Sequence, residues 1–117
     1  MNILADVLRT HQKINLISDE IYELILKKGH HHISFAAFAK DLKDQIYTVN
    51  GFAKGWAMTG WRLGYLVGQK EVIKASSTLQ SQSTSNVCSF VQRGALSALE
   101  IKNDFFVEIN QKYDERR

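Results

Sequence analysis

Residues 50–64 read Asn-Gly-Phe-Ala-Lys-Gly-Trp-Ala-Met-Thr-Gly-Trp-Arg-Leu-Gly, with Lys54 in a glycine-rich stretch and Arg62 eight residues further on. A lysine becomes a nucleophile when its surroundings disfavour the charged ammonium, and loops of this composition are where that is arranged. An arginine nearby suits a phosphate, because its planar fork can make two parallel hydrogen bonds to one anion. On residue types alone a second reading stands beside this one: a solvated Lys54 and a structural Arg62. The phosphate loop of nucleotide hydrolases is excluded, since no Gly-Lys-Ser/Thr follows a glycine at the required spacing.

Several elements must position these groups. The apolar run Ile46 to Val49 predicts a buried strand ahead of the lysine, and Leu63 to Val67 a strand after the arginine. Five of the seven glycines fall between Gly51 and Gly68, marking backbone that turns tightly or approaches something closely. Upstream, Ile3, Leu4, Val7, Leu8 and His11 recur at helical spacing and predict a helix over 3–11. Residues 14–17 read as a short strand that delivers Asp19 at its carboxyl end. An extended excursion over 23–34 ends in Gly29 and three histidines, and a helix follows over 35–43. Beyond the glycine-rich zone, residues 70–79 predict a helix and 81–86 a polar break. A long helix then starts at Val87, with a stripe through Val91, Ala95, Ala98, Phe105 and Ile109 interrupted at Lys102; Asp114 to Arg117 read as its solvated end. Strands separated by helical segments indicate an α/β unit. No repeat, low-complexity tract or linker divides it, so a single unit over 1–117 is expected.

Composition narrows the function classes. The 117 residues are 44% apolar and 23% charged, ordinary globular values. Proline is absent. The single cysteine, Cys88, excludes an internal disulfide framework, and a helix face is its expected place. The net charge of +3 is dispersed, without the Lys/Arg stripe of a nucleic-acid binder. No segment is apolar for long enough to span a bilayer, and Asp6 and Arg9 interrupt any signal-peptide core, so the expected compartment is the cytoplasm. His30, His31 and His32 are consecutive and cannot all face one ion, so no metal is expected. Trp56 and Trp61 are expected to pack around the lysine loop.

The segment resembles the lysine signature of class I pyridoxal-phosphate-dependent aminotransferases of the aspartate/aromatic type. Gly51, Phe52, Ala53, Lys54, Arg62, Leu63 and Gly64 meet that pattern in order, and Ser18-Asp-Glu-Ile-Tyr22 is similar to the family's Asp-Glu-x-Tyr element. The resemblance implies a partial fold-type-I large domain, with a mostly parallel sheet flanked by helices. It implies pyridoxal 5'-phosphate as cofactor, amino acid and 2-oxo acid substrates, and a homodimer. Lys54 would hold the cofactor as a Schiff base and then shuttle the proton between Cα and C4′. Asp19 would accept a hydrogen bond from the protonated pyridine nitrogen, Tyr22 would bond the ring's phenolic oxygen, and Arg62 would pair with the phosphate. Where many relatives carry a serine hydroxyl for the phosphate, this chain has Gly51, which offers a backbone N–H. Residues 81–86 resemble a loop near the subunit interface, although the proline that relatives carry after Asn86 is Val87 here.

The resemblance also implies that much of the site lies outside these residues: the loop that cradles the phosphate, the aromatic stacked on the ring and the arginine for the substrate carboxylate. A three-stranded remnant of the sheet would then carry open edges and an uncovered apolar face. Two readings follow, the lysine-bearing segment of an aminotransferase or a catalytically inactive remnant that serves at most as an interaction module.

Overall fold

The computed structural model describes residues 1–116; Arg117, at the tip of the expected solvated helix end, lies outside the described residues. Three strands, β1 (Leu16–Asp19), β2 (Ile46–Gly51) and β3 (Gly64–Val67), form one sheet in the order β1-β2-β3. Five α-helices accompany them: α1 (Asn2–Thr10), α2 (Phe35–Phe38), α3 (Lys70–Ser83), α4 (Ser89–Leu99) and α5 (Asn103–Glu115). Short 3-10 turns occupy Lys40–Leu42 and Thr59–Trp61. The α/β expectation therefore holds.

The chain divides into two compact units, where the lack of a linker suggested one. No linker marks the division because each unit is assembled from three separated stretches of chain. The first comprises Met1–Glu20, Ile33–Asn50 and Tyr65–Asn86; the second comprises Ile21–His32, Gly51–Gly64 and the chain from Val87 onward.

In the first unit, β1 and β2 pair in parallel, with Leu16 opposite Ile46 and Asp19 opposite Val49. Ala5, Leu8, Phe35, Ala39, Leu42 and Ile46 form its core. The Gln45 amide closes the end of α1 by donating to the carbonyls of Leu8, His11 and Ile14 at 3.1, 3.3 and 2.9 Å. Ile14 is thus held in a turn, and pairing begins when the Leu16 N–H reaches the Gln45 carbonyl. That is why β1 starts two residues later than the apolar run predicts. The Glu20 carboxylate is buried and accepts from Ser18 Oγ, Ser34 Oγ and the Phe35 N–H, so its desolvation is compensated locally. The helix expected over 35–43 is instead α2 plus a 3-10 turn. Helix α3 runs four residues past its expected end, into the polar run, where Ser81 and Ser83 turn their hydroxyls back onto helix carbonyls. The break is confined to the residues after Ser83, with Ser85 at φ 60°.

The second unit packs Phe52, Met58, Ala95 and Ala98 together, with Trp56 and Leu63 against them. The single long helix expected from Val87 is two helices, α4 and α5. The stripe's interruption is a real break, closed by the Ile101 N–H on the Ala98 carbonyl. Cys88 is exposed and precedes α4, so it is not on a helix face. Residues 23–34 form no strand: the Asn110 side chain takes the Leu26 N–H and the Leu24 carbonyl, which a ladder would otherwise use.

Large apolar side chains remain in water, as the incomplete sheet implies. Ile17 of β1 is 70% exposed, Val67 of β3 58%, and α3 buries no residue. Parallel sheets are normally covered on both faces. No helix among the described residues is long and apolar enough to cross a membrane.

Candidate active site

Four of the five expected site residues belong to the second unit. Lys54 lies in the turn that leaves β2, half-buried, and its carbonyl accepts the Ala57 N–H at 3.0 Å. Its Nζ stands 5.7 Å from the centre of the Tyr22 ring, within range of a cation–π attraction. Tyr22 itself is exposed. Arg62 is exposed in the left-handed region at φ 52°, just after the Thr59–Trp61 turn. Its Nη1 donates to the Thr59 carbonyl at 2.9 Å, which folds the guanidinium back over that turn. Ala57 is also left-handed, at φ 54°. Such conformations are costly for residues with a Cβ, and two of them flank the same short loop.

Gly51 is buried at the end of β2, and its identity follows from a close approach. A Cβ there would lie 2.7 Å from the Leu63 carbonyl oxygen and 2.8 Å from the Gly64 Cα. Neither is a flexible side-chain end. The Phe52 N–H donates to the same Leu63 oxygen at 3.1 Å, so the two arms of the loop are drawn together at their base.

Asp19 belongs to the first unit. It ends β1, opposite Val49, and is exposed.

Two tryptophans tie the loop to α4, as their expected packing around it suggests. Trp56 stacks on Phe52 with ring centres 4.8 Å apart and donates its Nε1–H to the Ala98 carbonyl at 3.0 Å. The Trp61 ring lies over Gly94, where an added Cβ would come within 2.6 Å of it. Gly94 is the residue that sequence reasoning missed. Its one signal is a glycine inside a helical stripe, where alanine would be the better helix former.

The electrostatics suit an anion. Neither Lys54 nor Arg62 forms an ion pair among the described residues. One loop therefore presents an amine over an aromatic ring and a guanidinium bonded only to a backbone oxygen. This set fits pyridoxal phosphate, which needs an amine for its carbonyl carbon and a cation for its phosphate.

Comparison with known proteins gives one consistent result. The family model described as aminotransferase class I and II matches residues 1–117. A probable aspartate/prephenate aminotransferase of Rickettsia bellii is 45% identical over 114 residues, covering 97% of this chain and 29% of that protein. The aspartate aminotransferase of Bacillus subtilis is 38% identical over 116 residues, covering 99% of this chain and 29% of that protein. The crystal structure of the Rhizobium meliloti aspartate aminotransferase superposes with a TM-score of 0.94 at 38% identity, over 98% of this chain and 29% of that one. The chain thus spans under a third of the length of the relatives it matches.

Proposed function

The chain belongs to the class I and II aminotransferase family, and from that premise we propose that it is the lysine-bearing part of a pyridoxal-phosphate-dependent enzyme. The reaction is transfer of an amino group between an amino acid and a 2-oxo acid. Aspartate is the favoured donor, because the relatives described above are aspartate or aspartate/prephenate aminotransferases. A homodimer in the cytoplasm is the setting this reading implies.

The observation that carries the reading is the Lys54 amine over the Tyr22 ring, on the same loop as an arginine without a carboxylate partner among the described residues. When bound, pyridoxal phosphate supplies a carbonyl carbon for an amine and a cationic ring that accepts electron density from a deprotonated Cα. Lys54 Nζ would be the attachment point and, once released, would serve as the base that takes the Cα proton and returns it. Tyr22 would donate its hydroxyl proton to the ring's phenolic oxygen. Asp19 would accept the N–H of the ring nitrogen, the role the family resemblance gives it. Arg62 would take the phosphate in place of the Thr59 carbonyl, and Gly51 would contribute through its backbone alone. Amino-acid carboxylate recognition and the remaining phosphate contacts come from polypeptide outside these 117 residues.

Trapping tests the reading. After incubation with pyridoxal phosphate and reduction with borohydride, mass mapping is expected to find the label on Lys54 ahead of every other lysine. Indiscriminate labelling overturns it. The second reading is a remnant without catalysis. It agrees with the first in expecting no turnover of aspartate and 2-oxoglutarate by this chain alone. Lys54-selective labelling separates the two.

A further inference from the structure

We propose that Trp61 and Gly94 are positioning residues that aim Arg62 at the cofactor phosphate. The proposal rests on the reading of Arg62 given above and adds how that guanidinium is held. Glycine inside a helix is disfavoured relative to every residue but proline, so Gly94 within α4 calls for a reason. The reason on view is the Trp61 ring, whose Cζ3 would stand 2.6 Å from a Cβ at position 94.

Trp61 is the last residue of the turn Thr59–Trp61, and its N–H bonds the Met58 carbonyl at 3.2 Å. Met58 is buried against the same helix, in the cluster with Ala95 and Ala98. The turn is therefore seated on α4 on both sides, by the Met58 side chain before it and the Trp61 indole at its end. Arg62 follows directly, left-handed, and its side chain closes onto the Thr59 carbonyl of that turn. A shift of the turn carries with it both the backbone and the resting contact of the guanidinium. Lys54 is held through a different aromatic contact. Its end of the loop is held by Trp56, through the Phe52 ring and the Ala98 carbonyl.

The consequence is a separable effect on the phosphate. Gly94→Ala improves helix propensity in α4 but displaces the Trp61 ring. Lys54 labelling by pyridoxal phosphate is expected to fall by about tenfold, the scale of one hydrogen bond to a charged group, while labelling by phosphate-free pyridoxal is unchanged. Trp61→Ala is expected to do the same, and the double variant no worse than either single one, because both act through one contact.

The parent 117-residue chain is compared with four variants, Gly94→Ala, Trp61→Ala, the double and Arg62→Ala, each trapped with borohydride after either aldehyde. Far-UV circular dichroism reports folding. An equal fall with both aldehydes means a purely structural role and overturns the proposal, as does a retained phosphate preference in Gly94→Ala. A parent chain with no phosphate preference, and no response to Arg62→Ala, overturns the assignment of Arg62 itself and the proposal with it. These failures are distinct.

Discussion

The Lys54 ammonium stands over the Tyr22 ring at 5.7 Å, although the two residues are thirty-two positions apart in the chain. The contact joins the lysine loop to the segment after β1. It gives Tyr22 two functions in the proposed site, a ring beneath the cation and a hydroxyl for the cofactor.

The two functions separate by substitution. Tyr22→Phe keeps the ring and is expected to weaken pyridoxal phosphate binding by about two- to tenfold, the range of one neutral hydrogen bond. Tyr22→Leu removes the ring as well, and with it an exposed cation–π contact of about 0.5–1 kcal/mol that holds the free ammonium, so binding is expected to recover two- to fivefold relative to Tyr22→Phe. Titration of cofactor absorbance gives both constants. Identical values for the two variants would show that the ring contributes nothing.

Gly51 is required by packing. A side chain there meets the Leu63 oxygen and the Gly64 Cα, both backbone atoms. Gly51→Ala and Gly51→Ser are each expected to destabilise the chain by about 1–3 kcal/mol, the usual cost of overpacking. Serine is not expected to add a phosphate contact through its hydroxyl. Urea unfolding measures the loss, and a Gly51→Ser variant as stable as the parent sinks this account.

Ala57 offers the opposite case. Its φ of 54° is a left-handed conformation with a Cβ present. Ala57→Gly removes that strain and is expected to raise stability by up to about 1 kcal/mol. The thermal midpoint should rise; a fall would mean that the lost methyl packs more usefully than the strain costs.

The Arg9–Asp41 ion pair makes one part of the fold acid-sensitive. Arg9 Nε donates to Asp41 Oδ2 at 2.8 Å, joining α1 to the Lys40–Leu42 turn. The hydrogen bond from Arg9 lowers the Asp41 carboxyl below its ordinary value and raises the arginine. A depressed carboxylate contributes stability that is fully present above the unfolded value of about 3.9 and is lost as pH falls through the lower folded one. Asp41→Asn is therefore expected to cost a little stability at pH 6 and less at pH 2. The pair is exposed, so salt should shrink the difference. A variant equally destabilised at both values would point to lost packing instead of lost charge.

Much of the site is legible in the amino-acid sequence. The eight-residue interval from Lys54 to Arg62, the strand ahead of the lysine and Asp19 at the end of β1 all follow from local pattern. The helix break near Lys102 does not: the sequence shows a gap in an apolar stripe but reads as one long helix, because a stripe that resumes beyond the gap cannot say whether the helix continues. Element edges are less legible because distant groups set them. Gln45 delays β1 by capturing the Ile14 carbonyl, and Asn110 keeps residues 24–26 out of any ladder.

The sequence by itself determined which chemical groups exist and how much chain separates them, since both are covalent facts. It determined the alternation of helix and strand too, because periodicity is written in neighbouring residues. Tertiary structure alone decided that Leu63 leaves no room for a side chain at position 51, that Tyr22 lies beneath Lys54, and that Gly94 makes a seat for Trp61. Those are contacts between residues distant in sequence. They depend on where packing brings the backbone, and no spacing along the chain encodes the space left between two segments.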